Sequence, residues 1–265
     1  MVRFEGVVMK TIILAGGEGT RLGELSRKTP KPLIPIGDMP IIKHIIDHYI
    51  SYQHNEFYIC VGYLSGMFHD YFHSISIQED KVSSTIVKYI LDDCTVWIVE
   101  TGVGTGTFGR LRQILPYVDA DSCFLTYGDG LSDVDLNALF QSHIQSHNLV
   151  TLSAVHPPER FGRIIIGENS SISSFSEKGI DHTSWVNGGY MVIETQIAQK
   201  YSIQFESFER DVLPDLAQKT LLGAYRHTGF WQCMDTPSEM AYLNRLWSKN
   251  MAPWLKREAK NVEYR

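Results

Sequence analysis

Cysteine is scarce in this 265-residue chain: the four present, Cys60, Cys94, Cys123 and Cys233, lie far apart and form no Cys-x-x-Cys pair. That excludes a disulfide-framed fold, and the apolar runs around most of them predict reduced core thiols. No apolar stretch approaches the ~20 residues that span a bilayer, and the N-terminus lacks the basic region, apolar run and small-residue site of a signal peptide. These absences predict a cytoplasmic chain with no membrane partner. A long basic run is missing too, and the net charge is -6, so a nucleic-acid backbone finds no counterpart. Any anionic substrate must be held by local donors. Internal repeats, low-complexity tracts and linkers are also absent, and the length fits one α/β domain over 1–265 better than two small ones. Residues 1–8 read as an extension ahead of Met9-Lys10 and are given no function.

What is present begins with short β-branched runs alternating with helical patterns up to residue 155, the signature of a parallel sheet with crossover helices. Residues 7–14 read as the first strand, followed by a helix over 41–52. There Ile41, Ile42, Ile45, Ile46, Tyr49 and Ile50 share one face, and Lys43, His44, Asp47 and His48 the other. Further strands are predicted over 57–61, 85–90, 96–99 and 123–126, with glycines and acids at several of their ends, where ligands of parallel sheets bind. After residue 155 the strands shorten (163–166, 172–175, 185–193), which reads as a mixed-sheet lobe, and helices follow over 208–218 and 238–247. Thr236, Pro237 and Glu239 have the spacing of a capping box. Residues 65–84 and 176–184 read as the least structured stretches, of the size that closes over ligands.

The histidines invite metal readings that the pattern does not sustain. His44/His48, His69/His73 and His143/His147 are all i, i+4 pairs, and none lies in a His-Glu-x-x-His motif. His44 and His48 are expected on a solvated face, and His143 and His147 as hydrogen-bonded core residues. Ser132 and Ser153 have no evident histidine and acid partners, which argues against a nucleophilic hydrolase.

Straight after the first strand stands Gly16-Gly17-Glu18-Gly19-Thr20-Arg21. Glycines there let backbone N–H groups approach a phosphate, while Arg21 offers a planar fork of donors and Lys31 a mobile ammonium. A dinucleotide fingerprint would need glycine where Leu22 stands, and a Walker A loop would need Gly-Lys-Ser/Thr; neither is met. Asp129, between Gly128 and Gly130 at the end of an apolar strand, and Asp235, after the run Gly229 to Met234, can together hold one Mg²⁺ and leave its other positions to phosphate and water. Spacing alone leaves Asp129 equally well a turn aspartate and Asp235 a helix-entry one. Asp133 and Asp135 read as caps of the helix that follows. Glu177-Lys178 and Asn187-Gly188-Gly189 read on their own as a solvated pair and a turn.

Leu14-Ala15-Gly16-Gly17-Glu18-Gly19-Thr20-Arg21-Leu22 followed by Pro30-Lys31-Pro32-Leu33 resembles the signature of the sugar-1-phosphate nucleotidyltransferases, and the likeness runs from Met9 to Trp254. Tyr127-Gly128-Asp129-Gly130, Phe161-Gly162, Phe175-Ser176-Glu177-Lys178, Asn187-Gly188-Gly189, Phe230 to Thr236 and Ala252-Pro253-Trp254 are most similar to the glucose-1-phosphate cytidylyltransferase branch. The resemblance implies a Rossmann-like, three-layer αβα, GT-A-like fold with a mixed central sheet and a smaller substrate lobe. Residues 9–155 would mainly bind nucleotide, and 156–265 mainly sugar phosphate. It implies nucleotide contacts from Leu14, Ala15, Gly16, Gly17, Gly19, Thr20, Arg21, Thr101, Thr107 and Arg110, and catalytic roles for Arg21, Lys31, Asp129 and Asp235. Asp129 and Asp235 would be the Mg²⁺ ligands, and Gly130, Glu177, Lys178, Asn187 and Gly188 would meet the sugar phosphate.

The implied reaction joins CTP and an α-sugar 1-phosphate to give a CDP-sugar and pyrophosphate for surface polysaccharide synthesis, in a homo-oligomer. The aromatic segment 242–254 would then be buried either between subunits or against its own lobe. Three features depart from the glucose-specific cytidylyl pattern: Phe108 replaces a glycine in Thr107-Phe108-Gly109-Arg110-Leu111, Gly179 stands where proline is usual, and Phe208-Glu209-Arg210-Asp211-Val212-Leu213-Pro214 resembles heptose-1-phosphate nucleotidyltransferases. A guanylyl- or thymidylyltransferase, or a nucleotide-sugar sensor without chemistry, are the alternatives.

Overall fold

Successive side chains along the central strands face opposite layers of helices, and both faces are apolar. The computed structural model describes residues 8–158, 162–177, 184–201 and 203–255. β1 (Lys10–Leu14) leads through the glycine loop to α1 (Glu24–Lys28), the short hairpin β2 (Pro35–Ile36) and β3 (Met39–Pro40), and α2 (Ile41–Ile50). β4 (Glu56–Val61), α3 (Ser65–Ile75), β5 (Gln78–Lys81), β6 (Ile86–Ile90), β7 (Thr95–Glu100), α4 (Thr107–Ile114), β8 (Ser122–Tyr127), β9 (Gly130–Ser132), α5 (Leu136–Ser146) and β10 (Val150–Val155) follow. Then come β11 (Arg163–Ile166), β12 (Ile172–Ser176), β13 (Val186–Glu194), α6 (Ile197–Lys200) and a π-helical turn (Phe208–Val212) running into α7 (Leu213–Gln218). β14 (Leu222–Arg226), β15 (Trp231–Cys233) and α8 (Pro237–Ser248) close the described fold.

Nine strands form one sheet in the order β14-β10-β13-β8-β1-β4-β7-β6-β5. β8, β1, β4 and β7 are parallel, β13 runs antiparallel between β10 and β8, and β6 and β5 are antiparallel additions. Ile13, Phe57, Ile59 and Phe124 pack with α2, α3, α5 and α8 on one face. Ile12, Leu14, Cys60 and Leu125 pack with α4 and α7 on the other. This is the expected three-layer αβα arrangement around a mixed sheet. β13 and β14 join the main sheet, while among the described residues β11 and β12 pair only with each other. Among the described residues no helix is long and apolar enough to cross a membrane.

Several expectations are corrected. The first strand begins at Lys10, because its ladder partner β4 begins at Glu56; Val8 ahead of it is exposed, and residue 7 lies outside the described residues. His44 and His48 are buried, not solvated. The apolar face of α2 covers the sheet, but its other face is covered in turn by Trp247 and Trp254, with ring centroids 4.9 and 5.9 Å from His44. His44 Nε2 meets the Ile36 carbonyl at 2.8 Å, and His48 Nε2 the Val134 carbonyl at 3.0 Å. Trp254 is therefore buried against its own domain. His143 is a core residue as expected, between Thr151 and Glu194, whereas His147 is exposed in the left-handed position that ends α5 (φ 53°).

Residues 65–84 are mostly ordered as α3 and β5. α3 inserts Phe68 and Phe72, one turn apart, into the core, and β5 is held by its backbone ladder to β6. Residues 178–183, most of the second expected loop, lie outside the described residues. Asp135 caps α5 by accepting from the Ala138 N–H at 3.0 Å, but Asp133 pairs with His227. The four cysteines are free, with Cys233 only partly buried.

Candidate active site

A cleft of about 420 Å³ opens where β1 and β8 end. Its wall includes Leu14, Ala15, Gly16, Gly17, Gly19, Lys31, Thr107, Arg110 and Asp129 of the expected residues. The glycines serve different ends. A Cβ at Gly16 would lie 2.0 Å from Arg110 Nη1, so glycine there makes room for a guanidinium and not directly for a ligand. Gly17 has open space where its Cβ would stand, and Gly19 takes a left-handed φ of 61°. Arg110 is enclosed and binds the carbonyls of Val61 and Gly16, each at 3.0 Å, and the Thr101 hydroxyl. Thr101 is buried as well, so Arg110 and Thr101 tie together the loops that follow β1, β4 and β7. Phe108, one of the departures from the cytidylyl pattern, points into the core against Phe208 and Tyr201. Val103, Thr105, Gly106 and Thr107 face the cleft instead.

Asp129 and Asp235, 106 residues apart, are brought side by side by a small ladder. β9 pairs antiparallel with β15 so that Cys233 stands opposite Gly130, and the Met234 N–H donates to the Asp129 carbonyl at 2.8 Å. The capping box then fixes the next turn: Glu239 accepts from the N–H groups of Asp235 (2.7 Å) and Thr236 (2.8 Å). Lys31, held by the turn after Pro30, extends its ammonium between the carboxylates, 2.7 Å from Asp129 and 2.5 Å from Asp235. Arg21 reaches Asp235 from the exposed side at 3.0 Å. Burial disfavours the charge on Lys31, yet Asp129 and Asp235 outweigh it and raise its pKa. Burial likewise pushes Asp235 up, but Lys31 and Arg21 bring it below the ordinary carboxylate value. Two hard-oxygen donors converging on one cationic atom fit Mg²⁺, which takes few protein carboxylates and fills its shell with phosphate and water. Among the described residues no cluster of three or more metal-ligating side chains is present, so substrate oxygens would complete the shell.

Beside the cleft, and sharing Tyr127 and Asp129 with it, lies a recess of about 220 Å³ lined by Gly130, Asn187, Gly188, Tyr190, Trp231 and Asp235. The Trp231 indole donates to the Gly188 carbonyl at 2.7 Å and the Tyr190 hydroxyl to that of Gly130 at 2.9 Å, which fixes the recess from both sides. Glu177 is exposed at the end of β12 and lines neither space; Thr20 lies beyond the lining as well. Lys178 and Gly179 lie outside the described residues. Sequence reasoning gave no role to Glu209, Arg210 and Tyr127, all in the cleft wall. The resemblance of the 208–214 run was the available signal for the first two. Ser132 does meet a histidine and an acid, contrary to expectation. However, Ser132, Asp133 and the Phe230 carbonyl all converge on one nitrogen, Nε2 of His227. A relay through both ring nitrogens is therefore not formed.

Comparison with known proteins places the chain in a family. Residues 10–244 match the family described as Nucleotidyl transferase. The chain is 36% identical over 254 residues to glucose-1-phosphate cytidylyltransferase of Salmonella typhi, covering 93% of this chain and 98% of that one. It is 28% identical over 204 residues to D-glycero-alpha-D-manno-heptose 1-phosphate guanylyltransferase of Campylobacter jejuni, covering 76% and 84% respectively. The crystal structure of HddC from Yersinia pseudotuberculosis complexed with GMP-PN superposes with a TM-score of 0.66 at 21% identity, covering 90% of this chain and 99% of that one. A glycine-loop cleft, a neighbouring recess and a cation held between two carboxylates at their junction thus sit on a chain that belongs to the sugar-1-phosphate nucleotidyltransferase family.

Proposed function

We propose that the protein transfers a cytidylyl group from CTP to an α-sugar 1-phosphate, giving a CDP-sugar and pyrophosphate of use in surface polysaccharide synthesis. The observation that carries this reading is the shared wall of cleft and recess, with Lys31, Asp129 and Asp235 at the junction. In the proposed reaction an oxygen of the sugar phosphate attacks the α-phosphorus, and the bond to the bridging oxygen of the leaving pyrophosphate breaks. The attacking oxygen is already ionised near neutral pH, so no general base is required. Alignment and charge neutralisation carry the catalysis. Backbone groups of the loop at Gly17 and Gly19 are suited to the triphosphate, with Lys31 and Arg21 neutralising charge as pyrophosphate departs. Glu177, Asn187, Gly188 and Gly130 would meet sugar hydroxyls, and Lys178 would hold the sugar phosphate. Mg²⁺, held by Asp129 and Asp235, would supply charge neutralisation and an anchor for phosphate oxygens.

CTP is favoured by the 36% identity to a cytidylyltransferase. Guanylyl transfer to a heptose 1-phosphate is the second reading, because Glu209 and Arg210, from the run that resembles heptose enzymes, line the cleft. Pyrophosphate release measured for each of the four nucleoside triphosphates, with glucose 1-phosphate and with a manno-heptose 1-phosphate, tests both. CTP turnover is expected; GTP turnover alone selects the second reading, and silence with every pair removes the catalytic one.

A further inference from the structure

Asp129 and Asp235 already share a cation, and it belongs to the chain. Lys31 Nζ donates to Asp129 Oδ2 at 2.7 Å and to Asp235 Oδ1 at 2.5 Å, while Arg21 Nη1 donates to Asp235 Oδ2 at 3.0 Å. Both oxygens of Asp235 and one of Asp129 are therefore engaged by protein cations. Formal charge at the junction is balanced as well, since two carboxylates face one ammonium and one guanidinium. Mg²⁺ needs its ligand oxygens at about 2.1 Å in a near-octahedral array. Recruiting these same oxygens would set a divalent ion against an ammonium whose side chain is 9% exposed, where water screens little. Lys31 and a metal are alternatives at this position.

Lys31 has other anions to turn to. Its stem packs against the glycine loop, where a Cβ on Gly19 would lie 3.1 Å from Lys31 Cβ and 3.6 Å from its Cδ. Lys31 also lines the cleft together with Gly16, Gly17 and Gly19. Phosphates held by that loop would fall within the sweep of a flexible four-carbon stem with three rotatable donors. Arg21 follows Gly19 and Thr20 on the loop, and its side chain is 73% exposed. It can turn from Asp235 to a phosphate without disturbing the core. A triphosphate thus offers both cations new partners and leaves both carboxylates unpaired.

We propose that Lys31 is a resident counter-ion of the metal carboxylates: nucleotide phosphates draw it off together with Arg21, and Asp129 and Asp235 become available to a divalent cation only then. This rests on the reading of the cleft as a triphosphate site and of the two aspartates as metal ligands. The exchange disfavours a bare divalent ion and makes metal and nucleotide binding mutually reinforcing. Lys31 returns to the carboxylates when pyrophosphate and metal leave.

The test uses the full-length protein without nucleotide, with Mn²⁺ as the probe and free Mn²⁺ counted by electron paramagnetic resonance at about 0.15 M salt. Lys31→Met should bind Mn²⁺ about tenfold tighter than the wild type or better, because it removes the enclosed ammonium. Arg21→Ala removes the same formal charge from the exposed side and should gain less than about threefold. Adding Asp129→Asn to Lys31→Met should abolish the gain. Lys31→Gln should repeat the Lys31→Met result, which separates loss of the ammonium from misfolding of one variant. Equal Mn²⁺ affinity in wild type and both Lys31 variants overturns the proposal, and so does an equal gain from Arg21→Ala, which would assign the effect to net charge. A second readout follows Lys31 itself by NMR of its ¹⁵N-labelled ammonium, the signal assigned with Lys31→Met. It should shift on saturation with CTP or GTP in chelator and stay in place with millimolar Mg²⁺ alone; a signal that nucleotide leaves unmoved overturns the exchange. A wild type silent with every substrate pair would defeat the proposed reaction, while the Mn²⁺ titrations still decide whether Lys31 blocks a metal site.

Discussion

Lys31 is almost enclosed, and an ammonium in that position is retained in charged form only because anions face it. Lys31→Met leaves Asp129 and Asp235 adjacent and unneutralised. Turnover in the pyrophosphate assay should fall about 10²–10³-fold. Urea unfolding should show a loss of about 1–2 kcal/mol, between the exposed and buried limits for a broken pair. The pH behaviour follows from the shifts. Asp235, lowered in the fold, contributes stability that is complete above its unfolded value and lost as pH falls through the folded one. Lys31, raised in the fold, contributes below 10.5, and that contribution is lost only as pH rises beyond this. Neither loss falls between about pH 6 and 9.

His54 behaves differently: burial alone lowers it to about 4, and its Nδ1 accepts from the Met9 N–H. The unfolded chain then binds the extra proton between about pH 6.5 and 4, so stability falls across that window on acidification. The urea midpoint should drop between pH 7.5 and 4.5, with a shallower slope in His54→Gln; an unchanged slope would assign the loss elsewhere. The loop, Lys31 and the two aspartates were legible as a candidate constellation because clustered glycines and acids at strand ends are unusual residues for plain turns. Tyr127 and Glu209 were not given roles, since a tyrosine ending a strand and a glutamate on a helical turn are ordinary until the fold brings them together.

At the level of elements, the capping box at the start of α8 does more than begin a helix. Glu239 binds the Asp235 N–H as well as that of Thr236, so the cap also orients a site carboxylate. Thr236→Ala should lower stability by about 1 kcal/mol and reduce turnover beyond what that loss explains; unchanged activity at saturating Mg²⁺ would separate cap from site. Phe108 belongs to the core and not to the cleft. Phe108→Leu is therefore expected to cost about 1 kcal/mol and leave the ranking of the four nucleotides unchanged in the same assay.

Strands with an apolar signal on both faces were legible in sequence, and so was α8, whose cap has a fixed spacing. α2 misled because only one of its two covered faces is apolar; the other is buried by Trp247 and Trp254, some two hundred residues later. β5 escaped because Gln78, Glu79, Asp80 and Lys81 carry no apolar signal, and only the ladder to β6 makes them a strand.

Across the whole molecule, two apolar layers clamp one sheet, and the site lies along the ends of its parallel strands. Because cleft walls come from widely separated segments, a ligand that bridges them stabilises the native state as a unit. On the proposed reaction, CTP with Mg²⁺ at about a hundredfold its dissociation constant would by mass action add about 2.7 kcal/mol. For a chain of this size that raises the melting temperature by roughly 5–10 °C. Scanning calorimetry with CTP, and with CTP plus chelator, checks this; equal shifts would argue against a metal held by Asp129 and Asp235.

β5 has one more consequence, for how copies of the protein behave at high concentration. It forms one outer edge of the sheet, with backbone groups on its free side able to template a further strand. Three of its four side chains are charged and most are exposed, which makes such pairing unfavourable. The segment with the weakest strand signal in the sequence thus protects the sheet from growing by aggregation. Solubility should fall when Glu79 and Asp80 are replaced by valine.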